Sequence, residues 1–222
     1  MKIPLYLVLF CLCLQGFSQQ EFFSEAILKN TIISKKTWKF NLISNYKHAY
    51  QNSKWRRFGL DFDFDKKLNS NWTISGGFAN NYRFDRELGD FYELRPKIGI
   101  EYKISIFENV ILKQRLLGEW RNFFLANHNH YLRSRYKIEL NYDFKNNSNS
   151  QKYWGLISSF EWYFLKDSLS QERYSNSREF SFFILKKLEK FQIMIGYIRE
   201  VFLSDSKSFG LTGNTISLRM IL

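Results

Sequence analysis

Arg133, Arg135 and Lys137 stand two residues apart, and Glu139 continues the row. The same step joins Glu93, Arg95 and Lys97 and, with Gly99 skipped, extends to Glu101; with Leu117 skipped it also relates Arg115, Glu119 and Arg121. Alternate side chains of an extended strand share a face, so each set would present its ionised groups on one side. Such faces can pair acids with bases across neighbouring strands or gather anions. At Asp61, Asp63 and Asp65 one could also offer oxygens to a calcium ion. Pairing is the expectation, with Glu161 on a later segment completing the set and the aspartates offsetting the bases. Charges forced into a narrow interior need partners, because the desolvation penalty is otherwise not recovered, and the planar guanidinium of Arg suits that role.

Other chemistry leaves little trace. His48, His128 and His130 are the three histidines, all in or beside expected loops. His128 and His130 would offer two imidazoles without a cysteine or an acid in the same loop, so no metal or cofactor is expected. There is no glycine-rich phosphate loop and no nucleophile elbow. A serine–histidine arrangement has no signature in sequence, since its members need not be neighbours. It stays open as an alternative built on His128 or His130.

The elements that carry these charges are strands of opposite phase. Between the charges of the 133–143 segment stand Leu132, Ser134, Tyr136, Ile138, Leu140, Tyr142 and Phe144. Leu94, Pro96, Ile98, Ile100, Tyr102, Ile104 and Ile106 likewise interleave with Glu93, Arg95, Lys97, Glu101 and Lys103. The pattern recurs from Trp38 to Leu222, giving about ten strands, with twelve possible, many of them longer than the ~9–11 residues that cross a bilayer. The fold expected is all-β: a transmembrane antiparallel up-and-down β-barrel over residues 37–222. A soluble barrel would point the apolar face inward, but eight strands could not house these rows of Trp, Phe and Tyr. Aromatic residues at strand ends, among them Trp38, Tyr82, Trp154 and Phe164, suit interfacial girdles.

Two parts of the layout stay open. Residues 19–36 contain an apolar run, Glu21 to Ser34, that could be a lumenal segment or one more strand. An eleventh strand would break the even count usual in single-chain barrels, which otherwise places both ends and the tighter turns on one side. Phe180 to Leu188 is apolar on both faces, so its orientation is undecided.

Composition bounds the rest. In a chain of 222 residues, 19% aromatic content beside a mean hydropathy of −0.37 fits a wall in which only alternate residues meet lipid. Lys2, the run Ile3 to Leu14 and Gly16-Phe17-Ser18 read as an export signal covering residues 1–18, cleaved after Ser18. Cys11 and Cys13 lie within it, leaving the mature chain without disulfides or thiolate metal sites. The net charge of +12 does not point to nucleic acid, because the bases alternate with apolar residues and interleave with acids.

At these residues the chain resembles a family of bacterial outer-membrane proteins, domain of unknown function 2490. The likeness covers Glu21 to Leu222 and rests on Tyr92-Glu93-Leu94-Arg95, Gln114-Arg115 with Glu119-Trp120-Arg121, Leu132-Arg133-Ser134-Arg135-Tyr136, Phe160-Glu161 and Asn176-Ser177-Arg178. It implies an outer-membrane barrel with an inward polar ladder and supplies no reaction. The chain departs from that pattern at Leu117, which stands where another inward charge would be natural, and at the terminal Leu222, where an aromatic is usual.

The function expected is non-enzymatic: a structural or envelope-interaction barrel with a charge-filled lumen. Its partners would be outer-membrane lipid and, during insertion, the barrel-assembly machinery. A small anion-preferring channel and a membrane-embedded lipid-modifying enzyme are the alternatives.

Overall fold

The structure, a computed structural model, describes residues 20–50, 55–86, 89–124, 128–144, 152–165, 176–203 and 212–222. The expected leader, with Cys11 and Cys13, lies outside them. Eleven strands follow one another: β1 (Gln20–Ser34), β2 (Trp38–Ala49), β3 (Arg56–Lys67), β4 (Trp72–Phe84), β5 (Phe91–Phe107), β6 (Val110–Phe124), β7 (His128–Phe144), β8 (Tyr153–Leu165), β9 (Asn176–Lys187), β10 (Gln192–Leu203) and β11 (Thr212–Ile221). Each pairs with the next, and β11 closes the barrel on β1.

The eleventh strand is the segment left open above. β1 pairs antiparallel with β2 over Phe23–Ser34 and parallel with β11 over Gln20–Lys29, so the wall begins at Gln20 and not at residue 37. An odd number of alternating strands sets the first and last running the same way, and they can close only as a parallel pair. The barrel is therefore mixed. The same parity corrects the expectation that both ends share a rim: β1 starts at one rim and β11 finishes at the other. The strand ends that flank 35–37, 68–71, 108–109, 145–152 and 188–191 lie with the end of β11 at what we call the short-turn rim. The strand ends that flank 50–55, 85–90, 125–127, 166–175 and 204–211 lie with the start of β1 at the long-loop rim. β7 starts at His128, ahead of the alternating stretch, so His128 and His130 lie within a strand.

Register carries one phase around the wall. Lys47 faces Arg57, Arg57 faces Arg83, Lys97 faces Glu119, Glu119 faces Arg133 and Lys137 faces Glu161. A slip of one residue would turn every such side chain out. Outside stand Ile98 (68% exposed), Leu132 (63%), Ile195 (58%) and Trp120 (54%), while Glu93 and Glu119 inside are each 1% exposed. The phase also settles the apolar β9: Phe180, Phe182 and Ile184 face out, and Phe183 and Leu185 are buried inside. Pro96 points outward in β5, and the β5–β6 pairing skips Arg95 and Pro96, as a residue without an N–H requires. Asn122 reaches into that gap and donates from Nδ2 to the Leu94 carbonyl at 3.3 Å.

Candidate functional site in the lumen

The inward faces build three kinds of surface. At the long-loop rim the residues are aromatic. Phe91, Phe123 and Tyr131 form one buried cluster, and Phe23, Ala49 and Trp55 form another. Two guanidiniums rest on them: Arg83 lies 4.6 Å from the Trp55 ring and 5.1 Å from that of Phe91. Arg121 lies 4.8 Å from Phe123 and 5.3 Å from Tyr131. Cations over ring faces in a desolvated setting are held firmly, so this layer is a packed cap.

Next to it lies a ladder of charge. Glu93 accepts from Arg95 Nε and Nη2 at 3.0 and 2.9 Å and from Arg121 Nε at 2.5 Å. Glu119 accepts from Arg133 Nε at 2.7 Å and Arg135 Nη1 at 3.0 Å, with Arg95 at 3.6 Å. Glu161 receives Arg135 through two nitrogens at 2.8 and 3.0 Å and Arg115 at 3.4 Å. Arg135 therefore joins two carboxylates carried on β6 and β8. Shared guanidiniums of this kind satisfy each acid several times over, which is what burial of the charge demands.

Toward the short-turn rim the bases are lysines. Lys97 sits between Asp61 and Asp63 at 3.1 and 2.8 Å, occupying the place a cation would take. Asp65 accepts from Asn41 Nδ2 at 3.1 Å. Lys113 and Lys137 hold Glu139 at 3.0 and 2.9 Å. Glu101 faces Arg115 across the β5–β6 register. The structure thus brings to the lumen all fourteen charges that the alternation singled out. Among the described residues no three His, Cys, Asp or Glu are grouped to hold a metal ion. His130 is exposed on the outer face with its ring 6.1 Å from that of Trp120, and the side chain of His128 falls outside the described residues.

Sequence reasoning missed a second set of lumenal groups. Glu25 accepts from Ser217 Oγ at 2.9 Å and Arg219 Nη2 at 3.4 Å. Lys47 meets Glu200 at 3.2 Å, and Tyr163 donates to Glu179 at 2.9 Å while accepting from Arg135 at 3.3 Å. Glu25 was hidden by the uncertain status of β1, and Glu179 by the undecided face of β9. Register would have found both, since Glu25 faces Lys47 and Glu179 faces Glu161 and Glu200.

The expected charge-filled interior is also incomplete. From β9 to β10 the inner wall is apolar: Phe183, Leu185, Met194 and Ile198 form a buried cluster, with Tyr153, Ile157 and Ile221 packed against it. Gly196 makes room for the Phe183 ring, whose Cδ1 would lie 2.2 Å from any Cβ at that position. Among the described residues the lumen holds a central cavity of about 450 Å³ and one of about 410 Å³ toward the short-turn rim. They share Lys29, Asp63, Lys97 and Arg115, and Leu117 lines the second.

Comparison with known proteins agrees on architecture. A solved structure described as a NanC porin superposes with a TM-score of 0.54, covering 87% of this chain and 92% of that one at 14% identity. That likeness is one of fold. No curated protein matches the chain. Residues 23–208, which hold ten of the eleven strands in whole or in part, match the model described as protein of unknown function (DUF2490), and the chain belongs to that family.

Proposed function

We propose that the chain is an outer-membrane barrel whose lumen is occluded, exported with residues 1–18 removed and serving a non-enzymatic structural or envelope-interaction role. The observation that carries the reading is the continuity of the cap and the ladder. Arg121 both stacks on Phe123 and Tyr131 and donates to Glu93, so the aromatic cap is tied to the charge network behind it. An outward face of exposed Ile, Leu, Phe and Trp supports a lipid environment, because a water-soluble monomer rarely leaves so large an apolar surface uncovered. Its partners are then outer-membrane lipid and, on insertion, the barrel-assembly machinery.

Planar-bilayer recording tests the occlusion. The purified protein is expected to insert without discrete conductance steps; regular steps would overturn it. One observation favours the second reading, a small anion-preferring channel: the two cavities adjoin and share Lys29, Lys97 and Arg115. Anion-selective steps would support that reading. A lipid-modifying role finds no support in the placement of His130, which stands on the outer face beside Trp120.

A further inference from the structure

The central cavity has two unlike walls. Its lining includes twelve Lys and Arg against six Asp and Glu. Adding Glu93 and Glu119, buried behind that lining, still leaves four more cations than acids. Two of these guanidiniums are incompletely used: Nε of Arg57 and Nε of Arg115 are buried with no hydrogen-bond partner among the described residues. Arg57 has Arg95 as a like-charged neighbour, and Glu25, Glu93 and Asp61 lie within electrostatic reach. Buried donors of this kind are costly unless something accepts from them.

On the side of β10, β11 and β1 the same cavity is lined by Phe23, Ile27, Met194, Ile198 and Ile221, with Phe183 and Leu185 packed against Met194 and Ile198; Glu25, Lys29, Glu200 and Arg219 stand among them, the last 4.2 Å from the Phe183 ring. A simple inorganic ion would satisfy the guanidiniums and leave this arc against water. A neutral apolar guest would cover the arc and leave the guanidiniums unanswered. We propose that the central cavity is a dead-ended binding site for a small organic anion with an apolar body, entering from the lysine rim. Its volume of about 450 Å³ lies within the range of small-ligand sites, ~300–1,000 Å³.

The approach is built for negative charge. The cavity toward the short-turn rim is lined by Lys29, Lys35, Lys36, Lys39, Lys67 and Lys113, and it shares four lining residues with the central one. At the opposite end Phe91, Phe123 and Tyr131 pack against one another on the inner faces of β5, β6 and β7. Lysines at a mouth concentrate anions by their field. The guanidiniums deeper in can engage a carboxylate with two parallel donors. The proposal rests on the occluded reading for its closed end alone. Conductance tests closure and ligand binding tests the site, so the two can fail separately.

The test is isothermal titration of the full chain, folded in detergent micelles, with sodium 3-phenylpropionate, inorganic phosphate and 3-phenylpropan-1-ol. Titration into protein-free micelles corrects for partitioning. The phenylpropionate is expected to bind saturably and about ten-fold or more tighter than either other probe, a difference of ~1.4 kcal/mol. Arg57→Met removes a guanidinium whose Nε bonds nothing, so it leaves that donor's loss without cost to a partner. It should weaken binding about ten-fold. Ile198→Asn leaves the charges in place and should weaken it about five-fold by spoiling the apolar wall. Absence of saturable heat, equal affinity for the alcohol, equal affinity for phosphate, or unchanged binding in both variants would each overturn the proposal.

Discussion

Lys47 and Glu200 meet at 3.2 Å although two whole strands, β1 and β11, separate the strands that carry them. Those two strands are the parallel pair, so the contact arches over the seam where the odd barrel closes. Parallel pairing is slightly weaker per residue than antiparallel pairing, and the seam is reinforced from inside, by this pair and by Arg219 of β11 on Glu25 of β1 at 3.4 Å.

The two ends of that ion pair are unequal. Glu200 faces Glu179 in the β9–β10 register, so Lys47 neutralises one member of a like-charged pair. Lys47→Met leaves both acids facing each other and is expected to destabilise the barrel by about 2–4 kcal/mol, between the values for exposed and buried pairs. Glu200→Gln removes one of the two acids and should cost less, about 1 kcal/mol. Urea unfolding in lipid vesicles measures both. Equal losses, or a larger one for Glu200→Gln, would mean that the seam does not depend on the lysine.

Glu119 is the acid on which most guanidiniums converge, with Arg95, Arg133 and Arg135 all within 3.6 Å. Glu119→Gln takes the carboxylate from buried Arg133 and one of two carboxylates from each of Arg95 and Arg135, and is expected to cost about 3–5 kcal/mol. Glu139, held by Lys113 and Lys137 with side-chain exposure of 17%, is wetter and should lose only about 1–2 kcal/mol on the same change. The same vesicle-unfolding midpoints rank the two, and a reversed order would remove the ladder from its central place in the stability of the barrel.

The wall was more legible in the sequence than the lumen, for a physical reason. A strand reports its two faces through strict alternation, and for Leu132 to Phe144 or Leu94 to Ile106 only the bulk of the aromatic rows was needed besides to tell which face turns outward. Where both faces are apolar, as at Phe180 to Leu188, alternation is silent, and only pairing against Glu161 and Glu200 shows that Glu179, Phe183 and Leu185 turn inward. The strand count failed in a similar way. Gln20–Ser34 has apolar residues enough for a strand but mixes them with polar ones on both faces, the usual even number argued against it, and the parallel contact with Thr212–Ile221 is a long-range event that no local pattern announces. The cavities were invisible for the same reason, being set by which of many lumenal side chains fail to reach one another.

The outward face makes its own prediction. Ile98 sits near the middle of β5, faces Gly76 and Gly118 on the neighbouring strands, and is 68% exposed. If hydrocarbon surrounds it, Ile98→Arg should cost about 2–4 kcal/mol, as a charge placed at the midplane does. If water surrounded it, the change would be neutral or would help solubility. Folding yield into vesicles decides, with Lys103→Arg on the inner face of the same strand as a control for the added guanidinium. An unaffected yield for Ile98→Arg would sink the lipid-facing wall.

The aromatic cap predicts where the barrel would leak. Phe123 packs in the lumen with its ring 6.0 Å from Phe91 and 5.5 Å from Tyr131, while its neighbour Phe124 points outward and is half exposed. Each substitution to alanine removes the same ring from adjacent positions of β6, so the pair separates loss of the cap from loss of an aromatic as such. Phe123→Ala should cost about 3–5 kcal/mol, and it should open the long-loop end onto the cationic central cavity. Planar bilayers are then expected to show conductance steps whose reversal potential under a salt gradient favours anions, because Arg83, Arg95 and Arg121 line the exposed path. Phe124→Ala should stay silent. If Phe123→Ala also stays silent at equal folded yield, closure belongs to the Glu93 and Glu119 ladder and the rings serve packing alone.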